Sequence, residues 1–540
     1  MLRACALAAG TAVLGTCLVM TPVGSASALE PSAFSTNAGR GAVGAPVNVD
    51  GMNLDSGGRA VVNAVERTEV APGLVHVKFE RRDPLGWQHI NVLKATLSPS
   101  TVKMKYLSPE TISGAPETVT ELTKRADALA GVNLDRFDIN NSYAPAGWGI
   151  TDGRILKSGN HDAAASVGTD AAGLGVLVDL ALQGSVTMPD GSALPVSGIN
   201  VTDVRAEGVA MYTSQWGSYT RTRMYGFKPA NGVEVWIGAD GTVERASAPV
   251  GSGADVIPEG VQVLTAKTNS TAATALATLS AGDRIEVAYG IRDDVSVGEI
   301  GGSWHRLLVD GRAAAYDKKN KYLNDPNPRT MIGFSQDRAT AYFIVADGRT
   351  AESRGLTFNE MAELMLDVGG YNAMSADGGG STQMNVRQPG DDTPAVVNVP
   401  SDGFERPDAD GMGFVLAQPG TGALTGFSLR PVRDDRDALR VFPGTHRTLT
   451  GFGHDEMRTA VDARPDGWSS ADATASVDHG VVKGLAQGTA TITAASGSAS
   501  GSLELEVAGP LQRMTVDQSV VNLETQGASA VLSFTGHDAE

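Results

Sequence analysis

A carboxylate, three consecutive glycines and two hydroxyls stand together at Asp377-Gly378-Gly379-Gly380-Ser381-Thr382. Glycine has no Cβ, so such a stretch lets the backbone approach a ligand closely and aim successive N–H groups at it. Ser381 and Thr382 add hydroxyl donors beside those amides. A carboxylate next to an anion-cradling loop suits a substrate with both a phosphate and a bond to hydrolyse. The same residues also read as a plain glycine turn after a strand, because short motifs match by chance. No Gly-Lys-Ser/Thr follows, which excludes a Walker loop, and the Gly-x-Gly-x-x-Gly spacing of a dinucleotide site is absent.

The elements that must position this loop are legible around it. Thr357 and Glu360 form a capping box. Met361, Leu364, Met365 and Val368 then recur at helical spacing, and Gly369-Gly370 stop the helix. Ala373-Met374 reads as a short buried strand from which Asp377 emerges. Thr340 to Ala346 is another strand, ending at Asp347-Gly348-Arg349, so strand, helix and strand compose a βαβ unit. If its strands are parallel, Asp347 and Asp377 leave the sheet at one carboxyl edge. Two carboxylates there are what hydrolysis of a glycosidic bond needs, although a hairpin turn is the plainer role for Asp347.

Upstream, Thr118 to Ala130 is a helix leading to Gly131-Val132-Asn133-Leu134-Asp135-Arg136-Phe137. Asn133 and Asp135 are placed there to face the loop or only to make turns. Asn327-Pro328-Arg329-Thr330 precedes the strand Met331–Phe334. Asn398 and Arg406 lie shortly before the strand Gly413–Leu416.

The chain has 540 residues, enough for several domains. Its net charge of −18 argues against general binding to nucleic acid or to anionic membrane surfaces. Arg3, the apolar run from Ala4 to Met20 and Ala26-Ser27-Ala28 mark residues 1–28 as a signal peptide. Both cysteines, Cys5 and Cys17, fall inside it, so the mature chain is expected to be exported without disulfides. No later run is apolar enough to span a bilayer. The 8 histidines show neither H-x-H nor H-E-x-x-H spacing, which argues against a histidine metal site. No cofactor is expected, and an oxygen-only calcium site near Asp135 or Asp377 is left open without a specific motif.

Residues 29–69 read as a flexible linker, rich in Gly, Ala, Ser and Asn toward their start. A catalytic domain is expected over 70–418. From Leu424 the texture changes to short strands with regular turns, indicating a β-sandwich over 424–508. Gly453-His454-Asp455-Glu456 recurs as Gly536-His537-Asp538-Ala539-Glu540, which predicts that 510–540 begins a second, incomplete copy.

Taken in order, Gly131–Phe137, Arg329-Thr330-x-x-Gly333, Asp347-Gly348-Arg349, Gly355-Leu356-Thr357 and Asp377–Thr382 resemble the phosphodiester glycosidase family over roughly residues 70–418. Asn398 and Arg406 match a late pattern of that family, and Arg136 stands where the family has a second aromatic. The tail resembles bacterial Ig-like group 2 modules, through Trp468-Ser469-Ser470-Ala471-Asp472 and Gly488-Thr489-Ala490-Thr491-Ile492.

The resemblance implies an α+β catalytic domain with a mixed sheet, followed by all-β Ig-like modules. It implies cleavage of the sugar C1–O bond of a sugar-1-phosphodiester. Asp377 would serve the sugar or the attacking water, and Asp135 and Asp347 would be the other candidate carboxylates. Arg329, Arg406, Ser381, Thr382 and the Gly378, Gly379 and Gly380 amides would hold the phosphate. Asn133 would orient sugar hydroxyls or support the loop, with Asn398 beside it. The partner would be an extracellular or cell-wall glycan, and the Ig-like modules would hold the enzyme at the surface. Two rival readings are an inactive carbohydrate-binding or adhesion protein and a phosphodiesterase that cuts P–O.

Overall fold

The computed structural model describes residues 47–539 apart from 56–57, 59, 161–163, 250–254, 293–294, 434–438, 517–519, 522–531 and 533. The signal peptide expected over 1–28, and the linker up to residue 46, lie outside the described residues. From residue 47 the stretch expected as linker is instead paired backbone. Asn48–Val49 and Met52–Asn53 form a small hairpin, followed by strand β1 (Val61–Ala71).

Eight strands build the sheet under the glycine loop. After β1 come β2 (Leu74–Asp83) and β3 (Gly86–Thr96). A second sheet then starts with β4 (Val102–Leu107), helix α1 (Val119–Arg125) and β5 (Ala130–Asn133). The first sheet resumes with β6 (His305–Val309), β7 (Arg312–Ala313), β8 (Arg329–Phe334) and β9 (Thr340–Ala346). Helix α2 (Phe358–Asp367) leads to β10 (Asn372–Ser375). The second sheet closes with β11 (Met384–Val386), β12 (Ala395–Val396) and β13 (Gly411–Leu416).

The first sheet has the order β7-β6-β10-β8-β9-β3-β2-β1 and the second β12-β11-β5-β13-β4. Every neighbouring pair in both is antiparallel. The expected α+β domain with a mixed sheet is therefore corrected: the chain is mostly β, with 47% strand against 9% helix. One capped, strongly periodic helix dominated the local signal, while most of the remaining chain between 149 and 302 is short strands. Those strands form a five-stranded and a seven-stranded sheet, with one parallel pairing, between Val196–Ile199 and Val209–Met211. Helix α1 is shorter than Thr118–Ala130, because Ala130 pairs with Phe414 as strand.

The strand period of two explains the layering. Leu93, Ile332, Phe343 and Met374 face the second sheet and share one apolar cluster with Val132, Met384 and Phe414. Their neighbours Val92, Met331, Ile344 and Ala373 face the other way and pack under Phe358, Met361, Leu364 and Met365 of α2. The Phe343 and Phe414 rings stack at 4.4 Å across the two sheets. Strands β9 and β10 both run antiparallel to β8 between them, so they run parallel to each other. Helix α2 carries the chain past β8, and Asp347 and Asp377 leave at one edge. Thr357 and Glu360 make the expected capping box, and Gly369 has φ +107° just past the helix.

Residues 426–507 form a further path of strands with two small apolar clusters that share Trp468. This module is docked on the first two sheets. Arg430 donates to both oxygens of Asp391 at 2.9 and 2.7 Å, and Arg458 donates to Glu69 at 2.6 Å. Beyond it, Arg513–Val516 pairs with Phe534–His537.

Replacing Phe343 by Ala removes a fully buried ring from the join between the two sheets. The variant should lose about 3–5 kcal/mol of stability. Urea unfolding followed by tryptophan fluorescence measures this, and a loss below about 1 kcal/mol would contradict the packing described.

Candidate active site

Three backbone bonds hold the glycine loop. Ala376 donates to the Thr330 carbonyl at 3.0 Å, Asp377 to Leu134 at 2.7 Å, and Gly379 to Pro328 at 3.0 Å. The chain then makes a tight 3₁₀ turn over Gly379–Ser381, with φ +67° at Gly379. Each glycine admits a different neighbour. A Cβ on Gly378 would lie 3.0 Å from the Tyr322 hydroxyl, and one on Gly379 would lie 3.1 Å from Nη1 of Arg349. One on Gly380 would collide with Arg406 and Asp402. The glycines thus bring a phenol and two guanidiniums against the loop. The Gly379 N–H is spent on Pro328 and is not free to cradle an anion.

Asp377 is half-buried beside these groups. Its Oδ2 accepts from Ser381 Oγ at 3.0 Å, and Ser381 Oγ in turn accepts from Arg406 Nη1 at 3.4 Å. Burial pushes the Asp377 carboxyl above its ordinary range, and the Gly378 amide, Ser381, Arg136 and Arg406 pull it back. Arg136 is exposed, with its guanidinium 4.4 Å over the Trp304 ring. Trp304 stacks on His305 at 4.6 Å and meets Tyr322 at 5.0 Å, giving an aromatic wall next to the carboxylate.

The other residues expected from the sequence separate by role. Asn133 is a clamp: its Nδ2 donates to the Asp377 carbonyl at 2.9 Å. Its Oδ1 accepts from Thr330 Oγ1 at 2.7 Å and from Gln383 N at 3.1 Å. Asn398 repeats the arrangement on the far side, donating to the Thr382 carbonyl at 3.2 Å and accepting from Met384 N at 2.8 Å. It also donates to Asp347 Oδ1 at 3.1 Å, which accepts from Val399 N at 3.0 Å as well. Asp347 is 3% exposed, so it ties loops together and does not face a substrate. Burial pushes its carboxyl up to about 7.

Asp135 lies in a separate buried network. It accepts from Gly147 N, and its own N–H donates to Asp410 Oδ1 at 2.8 Å. Asp410 accepts from the Tyr106 hydroxyl at 2.9 Å, and buried Lys157 balances the two acids. Arg329 spends its donors on carbonyls. Nε reaches Leu356 at 3.0 Å, and Nη2 reaches Tyr322 at 2.5 Å and Asp325 at 3.2 Å. Arg406 is paired with Asp402, at 3.0 Å from Nε and 2.6 Å from Nη2. Thr382 Oγ1 is buried without a hydrogen-bond partner.

Sequence reading passed over Trp304, Tyr322, Arg349 and Asp408 as site residues. Asp408 is 2% exposed, next to Ser381 and within electrostatic reach of Asp377. Neither of its oxygens makes a well-formed hydrogen bond, and burial pushes its carboxyl well above the usual range. Its sequence signal was the Pro407-Asp408-Ala409-Asp410-Gly411 run directly before β13. Among the described residues, no group of three His, Cys, Asp or Glu side chains is arranged to hold a metal ion.

A carboxylate wired through a serine to an arginine, on a glycine turn ringed by further arginines, places negative and positive groups side by side at one loop. Residues 231–415 match the phosphodiester glycosidase family. The fold is shared with a hypothetical protein from Synechocystis (16% identity, TM-score 0.54), over 65% of this chain and 64% of that one. It is also shared with a candidate exported protein of Burkholderia pseudomallei (17% identity, TM-score 0.54), over 66% of this chain and 97% of that one. The uncharacterized SPbeta prophage-derived protein YomE of Bacillus subtilis is 40% identical over 84 residues, which is 16% of this chain and 12% of YomE.

The raised carboxyl of Asp347 has a measurable consequence. Between its unfolded value near 4 and about 7, the folded protein holds a proton that the unfolded chain releases. This contribution is complete below pH 4 and is lost as pH rises through 7. Asp347→Asn should therefore show a shallower fall in stability between pH 4 and 7 than the parent. Urea unfolding across that range measures the difference, and parallel curves would contradict the assignment.

Proposed function

We propose that the protein is an exported hydrolase that breaks the C1–O bond of sugar-1-phosphodiesters. Support comes first from Asp377, held among Ser381, Arg406 and Arg136 on a loop of the matched family segment. A phosphate monoester is a good leaving group and needs little protonation. The demand on the protein is then to offset the charge of the departing phosphate and to place a carboxylate near the developing oxocarbenium ion. Asp377 meets the second demand, by stabilising the sugar cation or orienting the attacking water. Asp347 and Asp135 have no part in the scheme, since both are consumed by internal bonds.

The N-terminal leader supports export, and no helix among the described residues is long and apolar enough to cross a membrane. The substrate class is taken to be cell-wall or other extracellular glycans. On this reading the catalytic domain spans 70–418, and an Ig-like module over 424–508, with the start of a second at 510–540, holds it near its polymer.

The test is hydrolysis of a panel of sugar-1-phosphodiesters in water enriched in oxygen-18, with Asp377→Asn alongside. The expected result is label in the sugar and a loss of about 10²–10⁴-fold in kcat for the variant. Label in the phosphate would establish P–O cleavage instead. Full activity in the variant would remove Asp377 from the mechanism.

A further inference from the structure

Four arginines surround the Asp377 loop, and their charges are not equally available. Arg329 is buried and donates to three carbonyls. Arg406 is neutralised by Asp402. Arg136 and Arg349 are different: both are exposed, and among the described residues neither forms a salt bridge with a carboxylate. Arg136 rests on Trp304, which fixes its plane without offsetting its charge. Arg349 donates through Nε and Nη2 to the neutral Asn327 Oδ1, at 3.1 and 3.0 Å, leaving Nη1 against Gly379. Its backbone is left-handed, with φ +62°, a conformation that costs a non-glycine residue energy.

Both guanidiniums border the Asp377 loop, Arg136 within electrostatic reach of Asp377 and Arg349 against Gly379. Asp377 N bonds to Leu134, two residues before Arg136, while Trp304 N bonds to Ser375, two residues before Asp377. Tyr322 lies against Trp304, its hydroxyl is beside Gly378, the Arg329 guanidinium lies 4.6 Å over its ring, and it is within electrostatic reach of Arg329, Asp377, Arg349 and Arg136.

We propose that Arg136 and Arg349, flanking the Tyr322 hydroxyl, are the residues that bind the phosphate and select an anionic leaving group, in place of the Arg329 and Arg406 pair expected from the sequence. This rests on the glycosidase reading above. As the C1–O bond breaks, its electron pair leaves with the phosphate and the oxygen of water bonds to C1. The proton that water releases passes to solvent. A diester carries one negative charge, whereas a phosphate monoester carries about −1.5 to −2 at neutral pH. Two cations outside any carboxylate salt bridge therefore hold the departing group more strongly than the substrate, which lowers the barrier and does more than tighten binding.

The test uses the full chain with Arg136→Gln and Arg349→Gln. Each is assayed on a sugar-1-phosphodiester and on an uncharged nitrophenyl glycoside of the same sugar. Affinity for inorganic phosphate is measured by calorimetry. Each variant should lose about 10–100-fold in kcat/KM on the phosphodiester, mostly in kcat, with a loss about tenfold smaller on the neutral glycoside. Phosphate should bind each variant more weakly than the parent, and Arg136→Lys should recover part of that affinity. Unchanged phosphate affinity together with an unchanged ratio between the two substrates would overturn the proposal. If the parent hydrolyses no phosphodiester yet phosphate binding still depends on both arginines, the anion site stands and the glycosidase reading falls.

Discussion

The carboxamide of Asn133 is the constraint on which the site depends. It sits at the end of β5 in the second sheet and bonds to β8 through Thr330, to the strand-leading Gln383, and to the Asp377 carbonyl. Those partners belong to both sheets and to the loop between them. The amide has one acceptor and two donors, and this geometry uses both kinds at once. Aspartate, of the same shape, would lose the donor and introduce a charge. The two sheets hold their relative placement through apolar packing, and Asn133, with Asn398 on the far side, ties the Asp377 loop to them by hydrogen bonds.

Buried acids around the loop divide into two sorts. Asp347 and Asp410 accept well-formed bonds, from an amide and a backbone N–H and from a phenol respectively, and serve as internal ties. Asp408 has no such partner and lies beside Ser381, within electrostatic reach of Asp377. Burial pushes the Asp408 carboxyl well above the usual range. A short chain of bonds from Arg406 through Ser381 reaches Oδ2 of Asp377.

Local order was the part of the structure that the sequence disclosed. The Thr357–Glu360 cap, the apolar stripe of α2, the glycine stop and Asp377 at the end of β10 depend on residues within a few positions of one another. The roles of the arginines did not, because a guanidinium's function depends on which acceptors reach it through space. Arg329 follows Asn327-Pro328 at the start of β8, and its Nε and Nη2 donate to carbonyls from 322, 325 and 356. Arg136, which the family resemblance marked only as an odd residue, rests on Trp304 within electrostatic reach of Asp377. The extent of strand was hidden for the same reason. Short strands between 149 and 302 show little pattern individually and become sheets only through partners far along the chain.

The docking of residues 426–507 has a bearing on solubility. Strand β1 is the outermost strand of the large sheet, eleven residues long, and such an edge is a ready template for pairing with another chain. Glu69 near its end is engaged by Arg458 of the tail module. The tail module thus occupies one end of the rim where a second molecule would otherwise add its own strand.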